Sequence, residues 1–245
     1  MKEEMNLANM SWVEVEELLR KRDAILIPFG SIEQHGPHLP LGTDSSIVSE
    51  IVRRVSAKTG VAFTPPMPYG YSIEHLSFPG STSLAPESLM GVAKDVCESM
   101  IHHGFKRIIL INGHGGNAGI LETVIQSLKA EHGVTLALIN ITDMVMGYLQ
   151  EKREPRPSRI SHADVLETSL MLAIDDAKVK LDKIKDKIPT ENGPKVMVGA
   201  KVAWRAAELS STGVIGELRD ATKSDGERLL GRIVENIVQF VNNLK

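Results

Sequence analysis

Three unbroken apolar runs constrain this chain more than anything else in it: AILIPFG (Ala24–Gly30), RIILING (Arg107–Gly113) and VTLALINI (Val134–Ile141). A strand with one wet face alternates apolar and polar residues, so a run apolar at successive positions has to be covered on both faces. Each run has strand length, and Gly30 and Gly113 close the first two. Helical spacing fills the intervals. Ser11 with Glu14 forms a capping box ahead of Val15, Leu18 and Leu19. Ile47, Val48, Ile51, Val52 and Val55 run up to Gly60, and Pro86 opens a helix with Leu89, Val92, Val96 and Met100 on one face before Gly104. Ile120, Leu121, Val124, Ile125 and Leu128 repeat before Gly133.

VAFTPPMPYG reads as a short strand halted by prolines, and EKREPRPSRIS, residues 151–161, as a polar loop. HADVLETSLMLAI then resumes helical spacing, and Leu229, Leu230, Ile233, Ile237, Val241 and Leu244 form a closing stripe. The alternation predicts an α/β fold with a mostly parallel central sheet and helices on both faces. With no internal repeat or linker, residues 1–245 are expected to form a single domain.

The charge balance, 28 basic against 31 acidic residues for a net −3, gives no electrostatic reason to expect nucleic acid or an anionic membrane as partner. MKEEMNLANMSW lacks the apolar core of a signal peptide, and no apolar run approaches membrane-spanning length. The single cysteine, Cys97, rules out an internal disulfide and a cysteine-built zinc site; its helical surroundings suit a buried structural thiol. A reducing, cytoplasmic home is expected.

Ligands of open α/β sheets sit outside the carboxyl ends of the strands. Glu33 and His35 follow the first run by a few residues, and His114 directly follows the second in NGHGGN. Two strands therefore deliver Glu, His and His to one edge, and GPHLPLG can fold the loop back to bring Asp44 there. Gly113, Gly115 and Gly116 would let the backbone around His114 approach a bound ion. Mixed imidazole and carboxylate donors suit zinc, manganese or iron(II) better than calcium, and a carboxylate can bridge two ions. Asp44 also fits a cap for the helix it precedes; the convergence with Glu33, His35 and His114 favours the ligand role.

Other polar residues have plainer readings. His38 is expected to be structural or to support the ligands, and His75 to contact substrate or orient the site. Glu74 reads as a solvated or paired charge, and His102, His103 and His132 as helix-end residues. Glu167, between Leu166 and Leu170, would need a cation if it faces the interior; Asp164 ranks below it. Ser81, Thr82 and Ser83 suit capping or substrate hydrogen bonds, since no Ser-nucleophile pattern is present. The glycines of NGHGGN lack a nucleotide fingerprint.

GSIEQHGPHLPLGTD, YGYSIEHLSFPGSTSL, NGHGGN and HADVLETS, in this order, resemble the creatininase family of metal-dependent amidohydrolases, with a fainter echo in TGVIGELRDAT. The resemblance implies a three-layer α/β fold, assembly as a homo-oligomer (often a hexamer) and two divalent ions at the carboxyl edge of the sheet. It implies Glu33, His35, Asp44 and His114 as metal ligands, with Asp44 bridging. It makes His162 a catalytic histidine and Glu167 a second glutamate of the active site. Creatininase itself carries a ligand glutamate two residues after the histidine of NGH, where this chain has Gly116; Glu167 is the natural substitute donor. Gly115 and RPSRIS offer no aromatic beside these motifs, which argues against creatinine as the substrate.

The expected function is metal-dependent hydrolysis of an amide-type C–N bond in a small molecule, with His75, Ser81 and Gly115 toward the substrate and His162 passing a proton to the leaving nitrogen. Cleavage of a C–C bond in a cyclic keto-sugar or keto-inositol, maturation of a modified peptide, and metal-bound small-molecule binding without catalysis remain as alternatives.

Overall fold

The computed structural model describes residues 5–145, 161–184, 202–216, 218 and 220–244. The apolar runs pair as expected. Strands β1 (Ala24–Phe29), β2 (Ala62–Phe63), β3 (Arg107–Asn112) and β4 (Thr135–Asn140) form one parallel sheet in the order β2-β1-β3-β4. In register, Leu26 lies beside Phe63 and Ile109, and Phe29 beside Asn112.

The helices are α1 (Trp12–Leu19), α2 (Thr43–Thr59), α3 (Pro86–His102), α4 (Ala118–Glu131), α5 (Val165–Asp175) and α6 (Lys223–Asn243). Successive strand residues point to opposite faces, and the core divides accordingly. Leu26, Ile109 and Ile111 face α2, α5 and α6 through Val48, Val52, Met171, Leu230 and Ile233. Ile25, Ile27, Phe29, Ile108 and Leu110 face α1, α3 and α4 through Leu18, Leu89, Cys97, Leu121 and Leu128. The molecule is an α/β fold with helices on both faces of its sheet.

Details differ from the sequence reading. The buried face of α3 is Leu89–Ala93–Cys97, with Val96 and Met100 flanking it; the small Ala93 and Cys97 let the helix approach the sheet, which an apolarity count overlooks. Burial pushes the Cys97 thiol up to about 12, an inert structural group. β2 is only two residues long because Pro65 and Pro66 follow it closely. β4, at the sheet edge, is half-buried throughout. The loop expected over residues 151–160 lies outside the described residues, and no helix among the described residues is long and apolar enough to cross a membrane.

The Gly113 N–H donates to the Phe29 carbonyl at 2.9 Å, extending the β1–β3 pairing past the last strand residues. The segments after β1 and β3 therefore leave the sheet side by side. Leu110 is fully buried in the centre of β3. Leu110→Ala should lower the unfolding free energy by about 2–5 kcal/mol, as measured by urea denaturation.

Candidate metal centre

The loop after β1 is pinned by its backbone. The Glu33 N–H donates to Leu41 O at 3.0 Å, Thr82 N–H to Ile32 O at 2.9 Å, and Gln34 N–H to the Ser81 hydroxyl at 3.0 Å. The loop closes on itself and delivers Asp44 into the first turn of α2, where the helix dipole favours a carboxylate. Asp44 does not cap that helix: Gly42 is the N-cap residue and no side-chain cap bond is made. Its carboxylate turns inward instead.

Two donor sets meet there. Glu33 Oε2, Asp44 Oδ2 and His114 Nδ1 converge, with Nδ1 at 3.0 Å from Glu33 and 3.4 Å from Asp44. On the other side, His35 Nε2 is 3.1 Å from Asp44 Oδ1 and 3.7 Å from Glu167 Oε2. In each trio the donor atoms lie within 4.8 Å of one another, as they do in a third set of Glu33, His35 and His162. Asp44 belongs to the first two trios, one oxygen in each, as a bridging carboxylate would.

Outer partners aim the imidazoles. The His35 Nδ1–H donates to Glu33 O at 3.1 Å, leaving Nε2 for the site. The His114 Nε2–H donates to Tyr71 O at 2.8 Å, leaving Nδ1 for the site. Such bonds fix the tautomer of a metal-binding histidine. Glu33 and Asp44 are 1% and 2% exposed, and Glu33 Oε2 and Asp44 Oδ2 have no hydrogen-bond partner among the described residues. Each buried charge costs several kcal/mol after relaxation, so these two carboxylate oxygens need positive charge beside them, from protonated imidazoles or from a cation. The residues fit a divalent metal centre.

Electrostatics agrees. Burial works to lower the His35 pKa, but Asp44, Glu167 and Glu33 outweigh it and push it up to about 10. His114 is raised well above the histidine range against the same desolvation, by Glu33 and Asp44. Burial would raise Glu33, yet His114, His162 and His75 hold it well below the carboxylate range. Protons on His35 and His114 thus occupy the role that a dication would take over. Burial pushes Glu167 up to about 8, partly offset by His35, so this carboxyl ionises fully only with added positive charge beside it.

His162 enters from a different direction. It forms an antiparallel bridge with Ile215, in which the His162 N–H donates to Ile215 O at 2.7 Å. Its ring lies with centroids 4.3 Å from both His35 and His75. Desolvation, followed by electrostatic repulsion from His35 and His75, lowers it to about 3. The next residue, Ala163, is fully buried with φ of +54°, a strained value for a side-chain-bearing residue. This turn directs the Ala163 N–H to Glu167 Oε2 at 2.6 Å and starts α5 at Asp164, which caps the helix through the Leu166 and Glu167 N–H groups.

A cavity of about 370 Å³ opens onto these groups. Glu33, Asp44, His75, His114, Gly115, His162 and Glu167 line it. Ser81 does not: its hydroxyl holds the Gln34 backbone. His38 is also off the cavity, buried against the Thr168 hydroxyl at 2.9 Å beside Glu167. Three residues that the sequence reading passed over shape the site: Tyr71, whose carbonyl anchors His114; Gln34, which bonds to the His75 and His162 rings; and Trp204, on the cavity wall edge-on to His75 at 6.1 Å. Trp204 is one of only two tryptophans, but it lies outside the motifs.

A family model described as "Creatininase: Creatinine amidohydrolase" matches residues 8–241. The chain belongs to the creatininase family. It is 28% identical to the creatinine amidohydrolase of Pseudomonas putida over 96% of this chain and 95% of that one. It is 30% identical to the mycofactocin precursor peptide peptidase of Mycobacterium tuberculosis (strain H37Rv) over 89% and 84%. A solved structure of a Mn creatininase superposes with a TM-score of 0.84 at 25% identity, covering 98% of each chain.

Within this family frame, the glycine that replaces the creatininase glutamate has a local reason. A Cβ on Gly116 would collide with the Tyr71 carbonyl and reach within 2.5 Å of His114 Nε2. The absent side chain therefore makes room for the bond that aims His114. Gly113 packs on Val48 of α2, while Gly115 faces open space. Gly116→Ala should disturb the His114–Tyr71 bond and weaken divalent-metal affinity by about 10–100-fold, read by competition with a metallochromic chelator.

Proposed function

We propose that this chain is a metal-dependent hydrolase that cleaves a C–N bond of a small amide. The observation that carries the reading is the pair of buried donor trios hinged on Asp44, opening to a cavity beside His162. Glu33, Asp44 and His114 would hold one divalent ion, zinc, manganese or iron, and His35, Asp44 and Glu167 a second. Such ions supply Lewis acidity, acidifying water and polarising a carbonyl oxygen.

The chain's own residues supply the rest. The His162 Nε2–H is held by the Gln34 carbonyl, so its Nδ1 faces the site as an acceptor. That nitrogen can take a proton from water and return it to the departing nitrogen. Its depressed pKa keeps it neutral at rest, makes it a weak acceptor by itself and makes its protonated form a ready donor. Glu167 serves as a ligand, with the Ala163 N–H fixing one of its oxygens.

The cavity wall supports a neutral or donor-rich amide. Beyond the metal donors it carries Glu74, Asp143 and Asp164, and no Lys or Arg among the described residues. No aromatic lies beside NGHGGN or just before His162, but Trp204 brings one to the cavity from elsewhere in the chain; flat ring amides therefore belong among the candidate substrates. Kinship with a creatinine amidohydrolase supports the C–N assignment. By family, the same reading takes the working form as a homo-oligomer in the cytoplasm.

The test is stripping with a chelator, reloading with zinc, manganese or iron(II), and assaying cyclic amides, formamides, short peptides and cyclic ketones. Stripped protein should be inactive and reloaded protein active on one of the amides. Turnover by metal-free protein, or cleavage of the ketones alone, overturns the reading. His162→Ala should keep its metal by elemental analysis while turnover falls by about 10²–10⁴-fold.

A further inference from the structure

We infer that Gln34 is a positioning residue that sets which nitrogen carries the proton on two imidazoles at once, so that His75 shows the site an N–H and His162 shows it a lone pair. Gln34 sits between the proposed ligands Glu33 and His35, and its side chain points away from the cavity into the segment Thr212–Ile215. There its amide orientation is fixed by two backbone groups. Oε1 accepts the Gly36 N–H at 2.9 Å, and Nε2 donates to the Gly213 carbonyl at 3.1 Å. The atom 3.0 Å from His75 Nδ1 is therefore the NH₂ group, with one hydrogen left to give.

A donor pointed at Nδ1 requires a bare nitrogen there. The His75 proton is on Nε2, which lies 3.5 Å from Glu33 Oε1. The opposite tautomer would set N–H against N–H on one side and a lone pair against a carboxylate on the other. The same residue acts on His162 through its backbone. The Gln34 carbonyl takes the His162 Nε2–H, which leaves Nδ1 bare at 3.7 Å from the same Glu33 Oε1.

The outcome is asymmetric, and useful. The His75 N–H faces Glu33 Oε1 at 3.5 Å, and the buried Oε2 is left toward the proposed cation. His162 Nδ1 makes no bond to that carboxylate and stays available for a proton. The arrangement also gives a second role to the start of TGVIGELRDAT, whose Ile215 already pairs with His162. Gly213 has φ of +81°, and a Cβ there would run into the Gln34 amide, so this turn provides the carbonyl that orients it. The catalytic consequence rests on the hydrolase reading above; the proton positions do not.

Magic-angle-spinning ¹⁵N NMR of zinc-loaded, ¹⁵N-histidine-labelled protein tests this, with His75→Gln and His162→Gln spectra assigning the signals. The expected result is a bare Nδ1 and protonated Nε2 on both rings. A protonated Nδ1 on His75 overturns the proposal, whether or not any amide is turned over. In Gln34→Glu, a carboxylate faces His75 Nδ1, and the proton should move from Nε2 to Nδ1 with zinc content unchanged and His162 unaffected. An unmoved proton in the folded variant also overturns it. Should that variant not fold, the isosteric Gln34→Met removes the donor without adding charge, and His75 should then lose its single tautomer. On any amide that the wild type cleaves, His75→Leu should lose kcat with KM retained, and His75→Gln, which keeps an N–H, should recover part of it. Equal losses in the two variants would reject the N–H as the reason for His75.

Discussion

Glu33 and Asp44 each bury a carboxylate oxygen that faces an imidazole nitrogen and no backbone or hydroxyl donor, and much of the surrounding architecture holds those oxygens in place. Their cost is several kcal/mol apiece unless positive charge is supplied. In the protein alone, protonated His35 and His114 supply it, as their raised pKa values record. Both rings already have one nitrogen tied to a backbone carbonyl. The remaining nitrogens, together with the carboxylates, form a nest of donor atoms of the kind that could hold a small multivalent cation.

The fold turns this local demand into a fixed geometry. β1 and β3 are neighbours and parallel, so the segments that follow them emerge together. α2 starts two residues after the β1 loop closes, which puts Asp44 at the positive end of a helix and between both trios. His162 and Glu167 arrive much later in the chain and are positioned by the bridge to Ile215 and the cap at Asp164. Four stretches of sequence thus converge on one small volume.

Much of this was legible beforehand, for identifiable reasons. Runs apolar on both faces dictate parallel strands under helices, and ligand sites follow strand ends, so Glu33, His35, Asp44 and His114 could be grouped by topology. Contacts formed only in three dimensions could not. Trp204 reaches the cavity from a segment with no motif, and Gln34 looks like filler between Glu33 and His35 until its amide is seen bonded to Gly213. Gly116 reads as a missing ligand until the Tyr71 carbonyl is seen occupying its space. The face of α3 was misplaced for the reverse reason: Ala93 and Cys97 carry little apolar bulk but pack closest.

The left-handed turn at Ala163 has a consequence for how such a site can diversify. It joins the residue bearing the free imidazole nitrogen to the segment bearing Glu167, and its own N–H grips that glutamate. Neither group can be re-aimed without dragging the other. A change in the cavity's chemistry that leaves this corner intact must therefore come from its other lining residues, such as Glu74, Asp143 and Trp204.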